Sequence, residues 1–176
     1  MKVLRHSDRA AGPWANGGGI TYEVLRSPLD APEFDWRLSV AEVSAEGPFS
    51  HFPGIDRTLI MLSGSMQVVL DGVVHDVKRF TPLEFAGEAA GRAILHNGPT
   101  MDLNIMVRRG RIRLDLELAT ASTVSPAPDA ETVVFVLDGA WEADGTKLES
   151  WDCVVVDAPM TFSGSGMLAQ LRFRHA

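Results

Sequence analysis

Thr58–Phe85 reads TLIMLSGSMQVVLDGVVHDVKRFTPLEF, and Thr132–Asp157 reads TVVFVLDGAWEADGTKLESWDCVVVD. Each has an apolar strand ending in Leu, then Ser-Gly or Asp-Gly, a second strand, a second Gly-centred turn and a closing apolar strand. Leu62-Ser63-Gly64-Ser65-Met66 aligns with Leu137-Asp138-Gly139-Ala140-Trp141. Short apolar runs separated by residues that tolerate positive φ are hairpin signals, and a repeat of such units points to a sandwich or barrel.

Alternation with period two extends outward from both copies. In Ile20–Leu25, Ile20, Tyr22 and Val24 oppose Thr21 and Glu23. In Trp36–Val43 (WRLSVAEV), Trp36, Leu38 and Val40 oppose Arg37, Ser39 and Ala41. In Met101–Val107, the odd positions oppose Asp102, Asn104 and Met106, and in Arg111–Leu118 (RIRLDLEL) apolar and charged residues alternate throughout. These are half-buried strands. Further strands fit Thr58–Leu62, Met66–Leu70, Thr132–Leu137, Asp152–Val156 and Met167–Phe173. Turns are expected at Ser63-Gly64, Asp71-Gly72, Asn97-Gly98, Asp138-Gly139, Asp144-Gly145 and Ser163-Gly164. No long stretch shows a 3.6-residue apolar period. Ala119–Asp129, rich in Ser, Thr and Pro, reads as the connection between the copies. The chain therefore divides into an N-terminal part, 1–118, and a smaller second half, 119–176.

The 176 residues are 45% hydrophobic and 22% charged, with a net charge of −7. That composition supports a folded core and disfavours disorder. An acidic chain is repelled by phosphate backbones, so nucleic acid is not an expected partner. The single Cys153 lies in an apolar run and reads as a small buried hydrophobe. No signal-peptide pattern and no run of about 18 apolar residues is present. The expected setting is soluble and cytoplasmic, without a membrane partner.

Chemistry concentrates in Gly47–Arg57, GPFSHFPGIDR. A loop this rich in reactive groups between strands is a natural binding surface. His51 has no second His nearby, and the best available ligand set, His51, His96 and Asp56, is poor for a metal. The expected protein has no metal and no cofactor. Arg37 lies beside the small residues Ser39 and Ala41, and Arg57 opens an apolar strand. Two guanidiniums at a barrel mouth suit a small organic acid; alternatively they pair internally with Asp56, Glu23 or Glu42. Phe49 and Phe52 offer apolar surface to a flat ring. In WANGGGITYE (Trp14–Glu23), the three glycines permit close backbone approach. Asn16 and Thr21 either bond a ligand or cap the turn. The run lacks the spacing of a phosphate loop. Asn104 is mid-strand, where Asn is disfavoured, which suggests a polar pocket wall. The arginines at 108, 109, 111 and 113 form a basic stripe, read as a solvated face or an oligomer contact.

The repeated unit resembles the cupin β-barrel, and two such units in one chain resemble a bicupin. WANGGGITYE, WRLSVAEV, GPFSHFPGIDRTLIMLSG and DLNIMVRRG, in this order, resemble the HutD/Ves family of cupin-like proteins. The resemblance implies an all-β fold of cupin-like antiparallel barrels, a cytoplasmic homodimer, and for the HutD branch an association with bacterial histidine utilisation. There it implies a regulatory rather than catalytic part, sensing urocanate or a formylated or formimino glutamate. The Ves branch is linked to stress responses. Matching motifs carry over Asn16, Thr21, Arg37, Ser39, His51, Arg57 and Asn104 as binding candidates, beside Phe49. The competing expectations are a metal-dependent cupin isomerase or dioxygenase using His51 and His96, or a stress-related Ves-type protein that acts through a protein partner.

Overall fold

The computed structural model describes residues 1–14 and 16–176; Ala15 of the Trp14–Glu23 motif lies outside the described residues. The architecture is all-β. The described helical content is a three-residue 3-10 turn, His6–Asp8, and no helix is long and apolar enough to cross a membrane.

Residues 10–109 form one unit. It contains a six-stranded antiparallel sheet in the order Ala11–Pro13, Gly19–Ser27, Trp36–Val43, Thr100–Arg108, Ile55–Ser63 and Pro82–Ala86. A four-stranded sheet runs Gly47–Pro48, Gly91–Leu95, Met66–Leu70 and Val73–Val77. A core lies between them. The larger sheet contributes Val43, Leu59 and Met61, the smaller Met66, Val68, Leu70, Val77 and Ala93. The alternation read from sequence is the cause, since every second side chain of each strand points into this interior.

Residues 1–9 and 110–176 form the other unit. Its seven-stranded sheet centres on two long strands, Ala130–Ala143 and Met160–His175. This differs from the boundary read at 118/119. Ile112–Ala119 pairs along its whole length with Met160–His175, and Lys2–Leu4 pairs with Cys153–Val155. The N-terminal segment is fastened further at Asp152, which accepts from Arg5 Nη1 at 2.6 Å and the His6 backbone N–H at 3.0 Å. The core of this unit is filled by its own large side chains, among them Trp141, Leu148, Met160, Phe162 and Leu168.

Two expected turns are not turns. Asp138-Gly139 and Ser163-Gly164 lie inside the long strands, where Gly139 faces Gly166 and Trp141 faces Gly164 across the ladder. The register slips between Val136 and Asp138. Gly139 has φ 92°, and a Cβ there would stand 1.9 Å from the Ser165 carbonyl oxygen. The glycines serve a bulge and a close strand approach rather than a chain reversal. Asp71-Gly72 and Asp144-Gly145 do reverse the chain, with both residues at positive φ. The Ser/Thr/Pro connection also contains a short strand, Ser122–Val124, whose three residues pair with Phe162, Thr161 and Met160 in turn.

Gly19 shows why the glycine run is needed. A Cβ at this position would lie 2.3 Å from the Glu42 carbonyl oxygen and 3.0 Å from the Trp14 ring. Gly19→Ala is expected to cost about 2 kcal/mol and to lower the melting temperature by about 5 °C, by forcing the strand or Trp14 to move. A thermal melt with an unchanged midpoint would disprove it.

Candidate functional site

Registers across the six-stranded sheet assemble the site row by row. Thr21 faces Ala41, and Ala41 faces Asp102. Ser39 faces Asn104, which on its other side faces Leu59. Arg37 faces Met106, Met106 faces Arg57, and Arg57 faces Phe85. Residues directly opposite in a ladder share a face. This face turns polar toward the Arg37–Arg57 end, and there the interior opens into a cavity of about 360 Å³. That volume suits a small metabolite.

Arg57 dominates the cavity. It is 7% exposed, and its guanidinium carbon lies 4.9 Å from the Phe85 ring centre, 5.3 Å from Phe49 and 5.6 Å from Phe52. The rings hold the cation by their π faces without neutralising it. Its one protein hydrogen bond among the described residues is from Nε to Asn104 Oδ1, at 3.4 Å. Burial pulls its pKa down to about 10, with the Asp102 charge opposing and Arg37 assisting. It therefore stays charged at neutral pH.

Asp102 is the second buried charge, 3% exposed and facing the same cavity. Burial pushes its carboxyl up to about 7, against the pull of Arg57. Its carboxylate accepts no hydrogen bond from the protein among the described residues, and it makes no direct ion pair with Arg57. Arg37 differs from Arg57: its Nε donates to Glu23 Oε2 at 2.9 Å, so the internal pairing considered for the two arginines occurs at this one. Trp14 donates from Nε1 to Thr21 Oγ1 at 2.8 Å, setting an indole against the cavity wall. Asn16 Oδ1 accepts from the Gly18 N–H at 3.0 Å, capping the glycine turn at the rim.

Comparison with known proteins fits this geometry. The HutD family model matches residues 6–169. The chain belongs to the HutD/Ves family. Protein Ves of Citrobacter koseri is 40% identical over 143 residues, 79% of this chain and 73% of that protein. Protein Ves of Cronobacter sakazakii is 36% identical over 138 residues, 77% of this chain and 75% of that protein. HutD of Pseudomonas fluorescens SBW25 has a solved structure similar to this one, with a TM-score of 0.87 and 28% identity over 99% of this chain and 98% of that one. A cupin 2 conserved barrel domain protein from Leptotrichia buccalis shares the fold, with a TM-score of 0.61 and 11% identity over 100% of this chain and 97% of that one.

Within this HutD/Ves chain, the cavity gathers Asn16, Thr21, Arg37, Ser39, Phe49, Arg57 and Asn104. His51 is not among them. It is exposed and lines a shallower hollow with Val69, Val74 and Arg92. The loop carries Phe49 and Phe52 inward and turns the imidazole out. His96 is exposed too, and Asp56 is engaged by Arg109 at 2.7 Å. Among the described residues no three His, Cys, Asp or Glu side chains converge on a metal position. The basic stripe is also engaged in part: Arg109 reaches Glu88 as well, and Arg108 reaches Glu33 and the Phe34 carbonyl.

Sequence reasoning did not single out Asp102, Trp14 or Phe85. For Asp102 a signal existed, because it shares the face of Asn104 and Met106. Phe85 lies on a short strand at the sheet edge whose register no pattern reveals.

Proposed function

We propose that this protein is a small-molecule-binding, regulatory cytoplasmic bicupin of the HutD type. It senses a carboxylate-bearing intermediate of histidine degradation, urocanate or a formyl- or formimino-glutamate, and works as a homodimer. The observation that carries this reading is Arg57, a buried cation that makes no ion pair with a carboxylate among the described residues, facing a cavity of metabolite size. A buried guanidinium is costly unless something pairs with it. A ligand carboxylate gripped by two N–H groups supplies that pairing. The phenylalanine rings around it offer apolar surface to the body of the ligand. The bicupin reading rests on the sequence repeat and on the cupin-like neighbours.

Thermal-shift measurements with urocanate, N-formylglutamate and N-formiminoglutamate test it. At least one is expected to raise the melting temperature by several degrees at millimolar concentration, as mass action requires of a ligand that binds only the folded state. A folded protein whose melting point none of the three moves would refute the reading.

A further inference from the structure

We propose that the cavity takes a ligand with two unlike ends, a carboxylate on Arg57 and a nitrogen N–H donor on Asp102. The inference rests on the small-acid reading above and adds to it the chemistry of the second end.

Two opposite charges are buried in one cavity and kept from pairing with each other. Arg57 Nε is spent on Asn104 Oδ1, and the guanidinium face is spent on the phenylalanine rings. Asp102 emerges beside Asn104 on the same strand face, two residues before it in Thr100–Arg108. Its neighbours in the ladder are Ala41 and Met61, neither of which offers a side-chain hydrogen bond. A buried carboxylate ordinarily collects donors. The Asp152 carboxylate of the other unit does so, taking donors from Arg5, His6 and Glu149. Asp102 has none among the described residues, and its carboxylate faces the cavity. The missing donor is therefore one the ligand brings. Arg57, Asn104 and Asp102 form a line on one wall, and a ligand lying along it meets a cation, an amide and a carboxylate in turn. A simple monocarboxylate fills the first position and leaves Asp102 desolvated and unpaired. An acid with an imidazole, amide or amidine nitrogen at its far end satisfies both.

The test pairs probes that differ at the far end alone. Urocanate is set against 3-(1,3-oxazol-4-yl)acrylate, where ring oxygen replaces the N–H group and the second ring nitrogen is kept. N-formylglutamate is set against the ester in which oxygen replaces its N–H. Affinities are measured by calorimetry at pH 8, where Asp102 is largely ionised. In at least one pair the N–H member is expected to bind about tenfold or more tightly, the loss expected when a buried acceptor is left without a donor. In Asp102→Ala that preference is expected to fall to within about twofold. Equal binding of both members by the wild type overturns this inference alone and leaves the small-acid reading standing. A preference that persists in Asp102→Ala also overturns it. If no probe binds, the small-acid reading falls and this inference with it. The wild-type ratio decides the matter even where the variant folds poorly.

Discussion

Arg57→Ala is expected to abolish the thermal shift produced by any carboxylate ligand, with an affinity loss on the order of 100-fold or more. The side chain is buried, so a ligand carboxylate meets it with little water to weaken the contact. Truncating one partner of such a buried charge pair costs roughly 2–5 kcal/mol, which is about 30- to several-thousand-fold. Ala also leaves a void among Phe49, Phe52 and Phe85. Arg57→Met separates the two effects. It keeps the stem packed against the rings and removes the charge. Replacing a buried charge with an apolar side chain of similar length is often neutral or stabilising. Arg57→Met is therefore expected to melt no lower than the wild type and to lose the shift. A retained shift in Arg57→Met would remove Arg57 from the binding site.

Asp102→Asn is expected to stabilise the ligand-free protein at pH 8 and to do little at pH 4. Burial raises the carboxyl from an ordinary value of 3.8 to about 7. Between those values the folded state holds a proton that the unfolded chain has released. Stability of the wild type therefore falls as pH rises through this window, and it levels off above the folded value. The charge that acts on Asp102 is Arg57, which stays a cation throughout this window. Asn carries no ionisation cost, so the difference between variant and wild type opens as pH rises. Three units correspond to about 4 kcal/mol at most, and local relaxation will reduce it. Chemical denaturation of both proteins from pH 4 to pH 9 reads the effect. Parallel stability curves would contradict the buried, unpaired carboxyl.

The period-two pattern revealed most of the sheet that builds the site. Trp36–Val43 and Met66–Leu70 have the bounds read from sequence. The Arg37, Ser39 and Ala41 face is the one that lines the cavity. Alternation works here because it reports which side of a strand faces the interior, and that is a local property. It says nothing about side chains on loops, and His51 shows the consequence: the richest segment of the chain points its imidazole away from the cavity. Turn signals fail where glycine has a second use. Gly139 and Gly164 look like hairpin residues, yet they bend two long strands against each other. Asp102 was visible on the right face, but its meaning is not local. Its lack of a partner depends on the register that sets Ala41 and Met61 beside it and on the irregularity next to Met101.

The contrast between the two interiors has a consequence for stoichiometry. In residues 110–176 the space within the sheet is occupied by Trp141, Met160 and Phe162, whereas in residues 10–109 one end is left open around Arg57. Among the described residues, the proposed ligand site thus falls in one of the two units. A titration of this protein should saturate at one ligand per polypeptide along a simple hyperbola, and any sigmoid response would have to arise between chains rather than between its halves.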